Sequence, residues 1–178
     1  MKIFNQKIEF SNTGELYAGI KLGFINNQEA LAFCEKGQVG NCSKDRFIDL
    51  YLSQEESGYA FLEKLKSFLE VDGLPTIETN GDYNGGKTDN LPDIYLRIWK
   101  LEMLLSALNS SEKKADILEK VYEYFYRFKF PVEWNDANFL IYGAESSSFP
   151  TEHLFDNLKE YLSNEINFFK NKRNTSIK

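Results

Sequence analysis

Histidine is almost absent from this chain, with His153 alone among 178 residues. That excludes zinc sites built on several imidazoles, multi-histidine phosphohydrolase centres and the Glu-x-x-His pairs of di-iron helical bundles. Cysteine is nearly as scarce: Cys34 and Cys42 cannot frame a disulfide scaffold, so a reducing cytoplasm is the expected compartment. Cys34 falls on an apolar helix face and reads as core, and Cys42 reads as a passive thiol just before a helix cap. No apolar run approaches the ~20 residues of a membrane-spanning helix. The opening Met1-Lys2-Ile3-Phe4 segment lacks the apolar core of a signal peptide. There is no Glu-x-x-Glu pair of the kind that holds magnesium between helices, and no nucleophile-elbow pattern that would make a triad around His153. No cofactor is expected from these residues.

Positive charge is short and badly placed for nucleic acid. The formal net charge is −6, yet residues 170–178 carry four positive charges and no acid, leaving −10 on the other 169 residues. Such a body repels a phosphate backbone, so nucleic acid is not expected as a ligand, and without a long apolar run neither is a membrane. It favours basic protein partners. One domain over residues 1–170 is expected, followed by a basic, frayed tail over 171–178.

What is present is helical spacing. Leu16, Ile20 and Phe24 lie four apart. Asn26 or Asn27 can cap a helix that Gly37 ends, and Ser43 caps the next, with Phe47, Leu50 and Tyr51 on one face. Leu62, Leu65 and Leu69 define a fourth helix, closed at Asp72-Gly73. Ile94, Ile98, Leu101, Leu105 and Leu108 form an apolar seam. After Ser110-Ser111 a further helix carries Ile117, Leu118, Val121, Tyr122 and Phe125, and the short link pairs the two as an antiparallel hairpin. Between Tyr122 and Phe130 every even position is aromatic, a strand-like alternation. The 3.6-residue spacing from Ser111 nonetheless carries helix to about Arg127, and Pro131 stops it. A short helix is expected from about Asn135 to Tyr142, and a last one of roughly 20 residues, about 30 Å, over Phe155 to Phe169. The fold class is all-α: seven or eight helices in antiparallel hairpins, an irregular bundle with a short extended N-terminal segment.

Residues 72–91 form the longest aperiodic stretch and hold two motif imitations. Gly81-Asp82-Tyr83-Asn84-Gly85-Gly86-Lys87-Thr88 spells a phosphate-binding loop, but no buried strand precedes it, and Pro92 cuts short the helix that must begin at the lysine. Asn80, Asp82, Asn84 and Gly85 imitate a calcium loop whose twelfth position, normally a bidentate glutamate, is Leu91. Long loops in compact domains usually carry function. Asp82, Tyr83, Asp89 and Asp93 are therefore the candidate partner-binding residues, and the same carboxylates are the alternative basis for a metal-dependent enzyme. The tyrosines Tyr59, Tyr83, Tyr95, Tyr124, Tyr126 and Tyr142 suit either a core rim or a protein-binding surface.

Ile98-Trp99-Lys100-Leu101, Val121-Tyr122, Phe128-Lys129-Phe130-Pro131 and Tyr142-Gly143 follow one another in an order that is similar to a family of small acidic helical bacterial proteins. Ile20-Lys21-Leu22-Gly23-Phe24-Ile25 leading into Asn27-Gln28-Glu29-Ala30 extends the resemblance, which covers roughly residues 13–145. Some members of that family are grouped with immunity proteins of secreted polymorphic-toxin systems. The resemblance implies a cytoplasmic, non-enzymatic protein that binds and blocks a basic toxin domain; it carries no catalytic residues over. A helical adaptor with no toxin partner is the other reading.

Overall fold

The computed structural model of the chain describes residues 9–81, 87–129, 131–137, 139 and 150–175, with side chains outside the description at 79–89 and 172–175. The described residues form eight α-helices and one two-stranded hairpin, in the order α1 (Thr13–Lys21), α2 (Asn27–Glu35), α3 (Lys44–Glu56), α4 (Gly58–Val71), β1 (Glu78–Gly81), β2 (Lys87–Asn90), α5 (Asp93–Leu108), α6 (Lys114–Arg127), α7 (Val132–Asp136) and α8 (Thr151–Thr175). The protein is all-α in class. Two compact units divide between Trp99 and Lys100, within α5.

In the first unit the helix starts follow the polar residues that cap them. Asn12 accepts from the Gly14 amide, Asn26 and Glu29 form a reciprocal capping box, and Ser43 and Ser57 cap α3 and α4. Gly37 and Gly73 take φ of +64° and +63° just past α2 and α4, where a left-handed residue ends a helix. Helix α4 packs on α3 and α1, and α2 packs on α3. Phe24 lies beyond the end of α1 rather than on it, because the chain turns at Gly23 with φ of +70°. Residues 1–8 of the expected extended lead-in lie outside the described residues, and Phe10 makes a parallel bridge to Val39.

Helix α1 is held against the first turns of α5 by two aromatics. Tyr95 and Trp99 are buried, and Trp99 Nε1 donates to the Glu15 carbonyl at 2.7 Å. Both rings lie on glycines: a Cβ at Gly14 would meet the Tyr95 ring at 2.6 Å, and one at Gly19 would meet Trp99 at 2.3 Å. The Tyr95 hydroxyl donates to the Pro75 carbonyl, and burial pushes its pKa up to about 12. This arrangement corrects the expected seam, since Ile94 is 58% exposed while Tyr95 replaces it inside.

Residues 72–91, expected to be aperiodic loop, contain the antiparallel pair β1–β2, with Glu78 opposite Asn90 and Gly81 opposite Lys87. Its strands carry no apolar residue, so no period-two hydrophobic signal exists to read. Backbone pairing alone defines them.

In the second unit α6 packs on α8. Helix α6 ends at Arg127, as its spacing predicts, with Lys129 in the left-handed region at φ 57°. Five residues, Asn109–Lys113, separate α5 from α6, more than the expected two or three. The short helix after Pro131 spans Val132–Asp136 instead of Asn135–Tyr142, because proline is well placed immediately before a first turn. Residues 140–149 lie outside the described residues, and Tyr142 with them. Trp134 is fully buried among Phe125, Phe128 and Phe139, with ring centroids 6.2, 5.7 and 5.8 Å away. On α5 every residue from Ile98 to Leu104 is buried, Lys100 and Glu102 included. Lys100 Nζ meets Glu133 at 2.5 Å. Neither oxygen of Glu102 finds a hydrogen-bond partner among the described residues, and burial pushes its pKa up to about 9.

Candidate functional site

The residues expected to bind a partner are only partly placed. Asp82 and Tyr83 lie outside the described residues. Asp89 pairs with Thr79 in the hairpin, and Asp93 is the exposed first residue of α5. The backbone also settles the phosphate-loop match: Lys87 opens a β-strand, not the helix whose N-terminal amides would face a phosphate. The calcium-loop imitation fares similarly, since Asn80 sits in β1 and the next helix starts only at Asp93. Among the described residues no three His, Cys, Asp or Glu side chains gather to hold a metal ion. His153 is exposed in the first turn of α8.

A different surface stands out in the first unit. Helices α2 and α3 enclose a groove of about 420 Å³, with Leu31, Ala32, Phe47 and Tyr51 supplying apolar surface and Gln28, Glu35, Gln54 and Glu55 supplying polar groups. Its two charged residues are both acidic. Phe47 and Tyr51 stand one turn apart with ring centroids 6.5 Å from each other. A second depression, lined by Ile20, Ile25 and Asn26 to Gln28, shares Gln28 with the groove.

Helix α3 is unusually apolar outside its buried face. Leu50 is fully buried, whereas Ile48, Tyr51 and Leu52 are 46%, 48% and 56% exposed. With Glu55 these residues stand at i, i+3, i+4 and i+7, a continuous helical stripe turned to solvent. Contiguous exposed apolar surface of this kind marks interaction sites more often than scattered single residues do. The sequence held the signal, because Phe47, Ile48, Leu50, Tyr51 and Leu52 put more apolar residues in six positions than one core-facing stripe can use. The tyrosines divide likewise: Tyr95 and Tyr124 are buried, and Tyr59 and Tyr126 are exposed.

The start of α3 is anchored firmly. Arg46 forks onto Asp72 with both contacts at 2.6 Å, donates to the Asn41 carbonyl at 2.8 Å, and lies 4.9 Å over the Phe68 ring. The Asn41 side chain adds a bond to Asp72 at 2.7 Å and accepts from the Thr13 amide at 2.9 Å. The Arg46 guanidinium, followed by the Asn41 amide, holds the Asp72 carboxyl below the ordinary carboxylate range. This knot ties the α2–α3 connection to the end of α4 and so supports one wall of the groove.

Among the described residues no helix is long and apolar enough to cross a membrane. Residues 1–166 match the model of a family described as an uncharacterized protein conserved in bacteria (DUF2247), and the chain belongs to that family. No curated protein and no solved structure matches the chain.

Proposed function

We propose that the chain, a member of this bacterial family, is a non-enzymatic binding protein that captures a basic protein partner in the α2–α3 groove. The observation that carries the reading is the solvent-facing stripe Ile48, Tyr51, Leu52 and Glu55 beside a groove whose only charges are Glu35 and Glu55. An apolar anchor from the partner fills the space between Leu31, Phe47 and Tyr51, and flanking Lys or Arg residues meet the two carboxylates. The body charge of −10 outside the terminal nine residues speeds encounter with such a partner.

A toxin domain of a polymorphic-toxin system is the partner class this reading favours, with the chain acting in the cytoplasm as its immunity protein. Many such toxins cut nucleic acid and present basic clefts, which an acidic helical plug complements. The test is calorimetry of the purified chain against toxin domains encoded beside its gene, with Glu35→Lys/Glu55→Lys and Tyr51→Ala variants. A salt-sensitive one-to-one complex weakened by both variants supports the reading. A complex with a non-toxin basic protein would favour the adaptor reading. Thermal stabilisation by magnesium, lost in Asp93→Ala or Asp89→Ala, would favour metal chemistry around the hairpin instead.

A further inference from the structure

The outward face of α3 has a symmetry that the groove does not use. Lys44, Ile48, Tyr51 and Glu55 are all exposed and follow one another in steps of four, three and four along the helix. At the pitch of an α-helix they fall within an arc of about 60°, one narrow seam about 16 Å long. Leu50 and Ser53, the buried residues of α3, lie on the opposite side, so the seam points away from the core that holds the helix. Exposed Leu52 widens its apolar middle on one flank. The two ends are charged, with Lys44 as the first residue of α3 and Glu55 in its last turn. Among the described residues neither takes part in an ion pair.

We propose that this seam takes a second copy of the chain, the two α3 helices packing antiparallel about a two-fold axis. Its order is basic, apolar, apolar, acidic, which is self-complementary when turned end for end. Lys44 of each copy then stands opposite Glu55 of the other, and Ile48 of each stands opposite Tyr51 of the other. Every layer joins opposite charges or two apolar side chains, as an interface formed by the same patch on both copies requires. Parallel pairing would set Lys44 against Lys44 and Glu55 against Glu55, so charge selects the antiparallel register.

The interface is small. One pair of helices over this length buries well under the ~1,200 Å² at which standard-size interfaces begin. The net charge of −6 on each copy also opposes association. The dimer is therefore weak, forming and parting with concentration in the micromolar range. Tyr51 and Glu55 also line the groove, so a partner seated there competes with the second copy. The pairing itself needs only α3 and does not depend on what the groove captures.

The test is analytical ultracentrifugation of the purified full-length chain alone, from micromolar to millimolar concentration. The expected result is a reversible equilibrium between monomer and dimer. Lys44→Glu and Glu55→Lys each set like charges against each other and are expected to weaken it by about tenfold or more. An equimolar mixture of these two variants regains both ion pairs and is expected to dimerise as the wild type does. The double variant Lys44→Glu/Glu55→Lys is expected to do the same at unchanged net charge. An acid at the start of a helix and a base at its end suit the helix dipole, so the reversals leave α3 intact, which circular dichroism checks. A wild-type chain that stays monomeric throughout would overturn the proposal. So would a dimer that neither reversal weakens, or one that the mixture fails to restore. No toxin domain is present, so failure here leaves capture in the groove standing, and failure of capture leaves the dimer standing.

Discussion

Trp99 abuts Gly19, so close that a methyl group on that glycine would sit 2.3 Å from the indole Cζ2. The indole is 1% exposed and its nitrogen is committed to the Glu15 carbonyl, so the ring has nowhere to move. Gly19→Ala should therefore lose about 2 kcal/mol through overpacking, although alanine is the better helix former. Gly37 provides the contrast: a Cβ there meets nothing within 4 Å, and Gly37→Ala should cost only the left-handed backbone, about 1 kcal/mol. Urea unfolding of the two variants checks the difference.

Lys129 holds φ 57° immediately after the cap of α6, a conformation glycine adopts without steric penalty. Lys129→Gly should stabilise the protein by about 0.5–1 kcal/mol, and Lys129→Val should destabilise it. Thermal melts of the pair against the wild type decide it.

Glu102 gives a pH dependence of definite sign. Its folded pKa is pushed to about 9 by burial, while an unfolded glutamate titrates near its ordinary value of roughly 4.3. Between those values the folded chain holds a proton that the unfolded chain releases, so stability falls as pH rises through that window, by up to about 1.4 kcal/mol per unit. Glu102→Gln carries no ionisable proton and should flatten the slope between pH 5 and 9. Chemical denaturation of both proteins across that range is the measurement.

Asp72 works in the opposite direction. Arg46 and Asn41 lower its folded pKa, so its contribution is present above the ordinary aspartate pKa of roughly 3.9 and is lost as pH falls through the lowered value. Asp72→Asn should be less stable than the wild type at pH 7 and converge with it in strong acid. High salt should narrow the gap at neutral pH, because the pair is partly exposed.

The parts of the fold that the sequence disclosed are those written in local chemistry. Asn26, Ser43, Gly37 and Gly73 mark helix ends through side-chain caps and positive φ, which need no tertiary partner. The aromatic alternation that begins at Tyr122 resolved as helix as far as Arg127 because Ile117, Val121 and Phe125 set the dominant spacing and are buried. What stayed hidden depends on distant partners. Tyr95 was not distinguishable from Ile94 as the inward residue until Gly14 opened space for its ring. The β1–β2 pair carries only polar and glycine residues. The groove was half legible: the excess of apolar residues from Phe47 to Leu52 was visible, but α2 as its second wall was not.

Affinity of the chain for a basic toxin domain encoded beside its gene, compared between the wild type and Glu35→Lys/Glu55→Lys at low and high salt, tests the central claim most directly. The account predicts a one-to-one complex that weakens at least tenfold on charge reversal and loses most of its salt dependence with it. Binding that survives charge reversal in the groove yet disappears on substituting Asp89 and Asp93 would contradict it and move the interface to the hairpin.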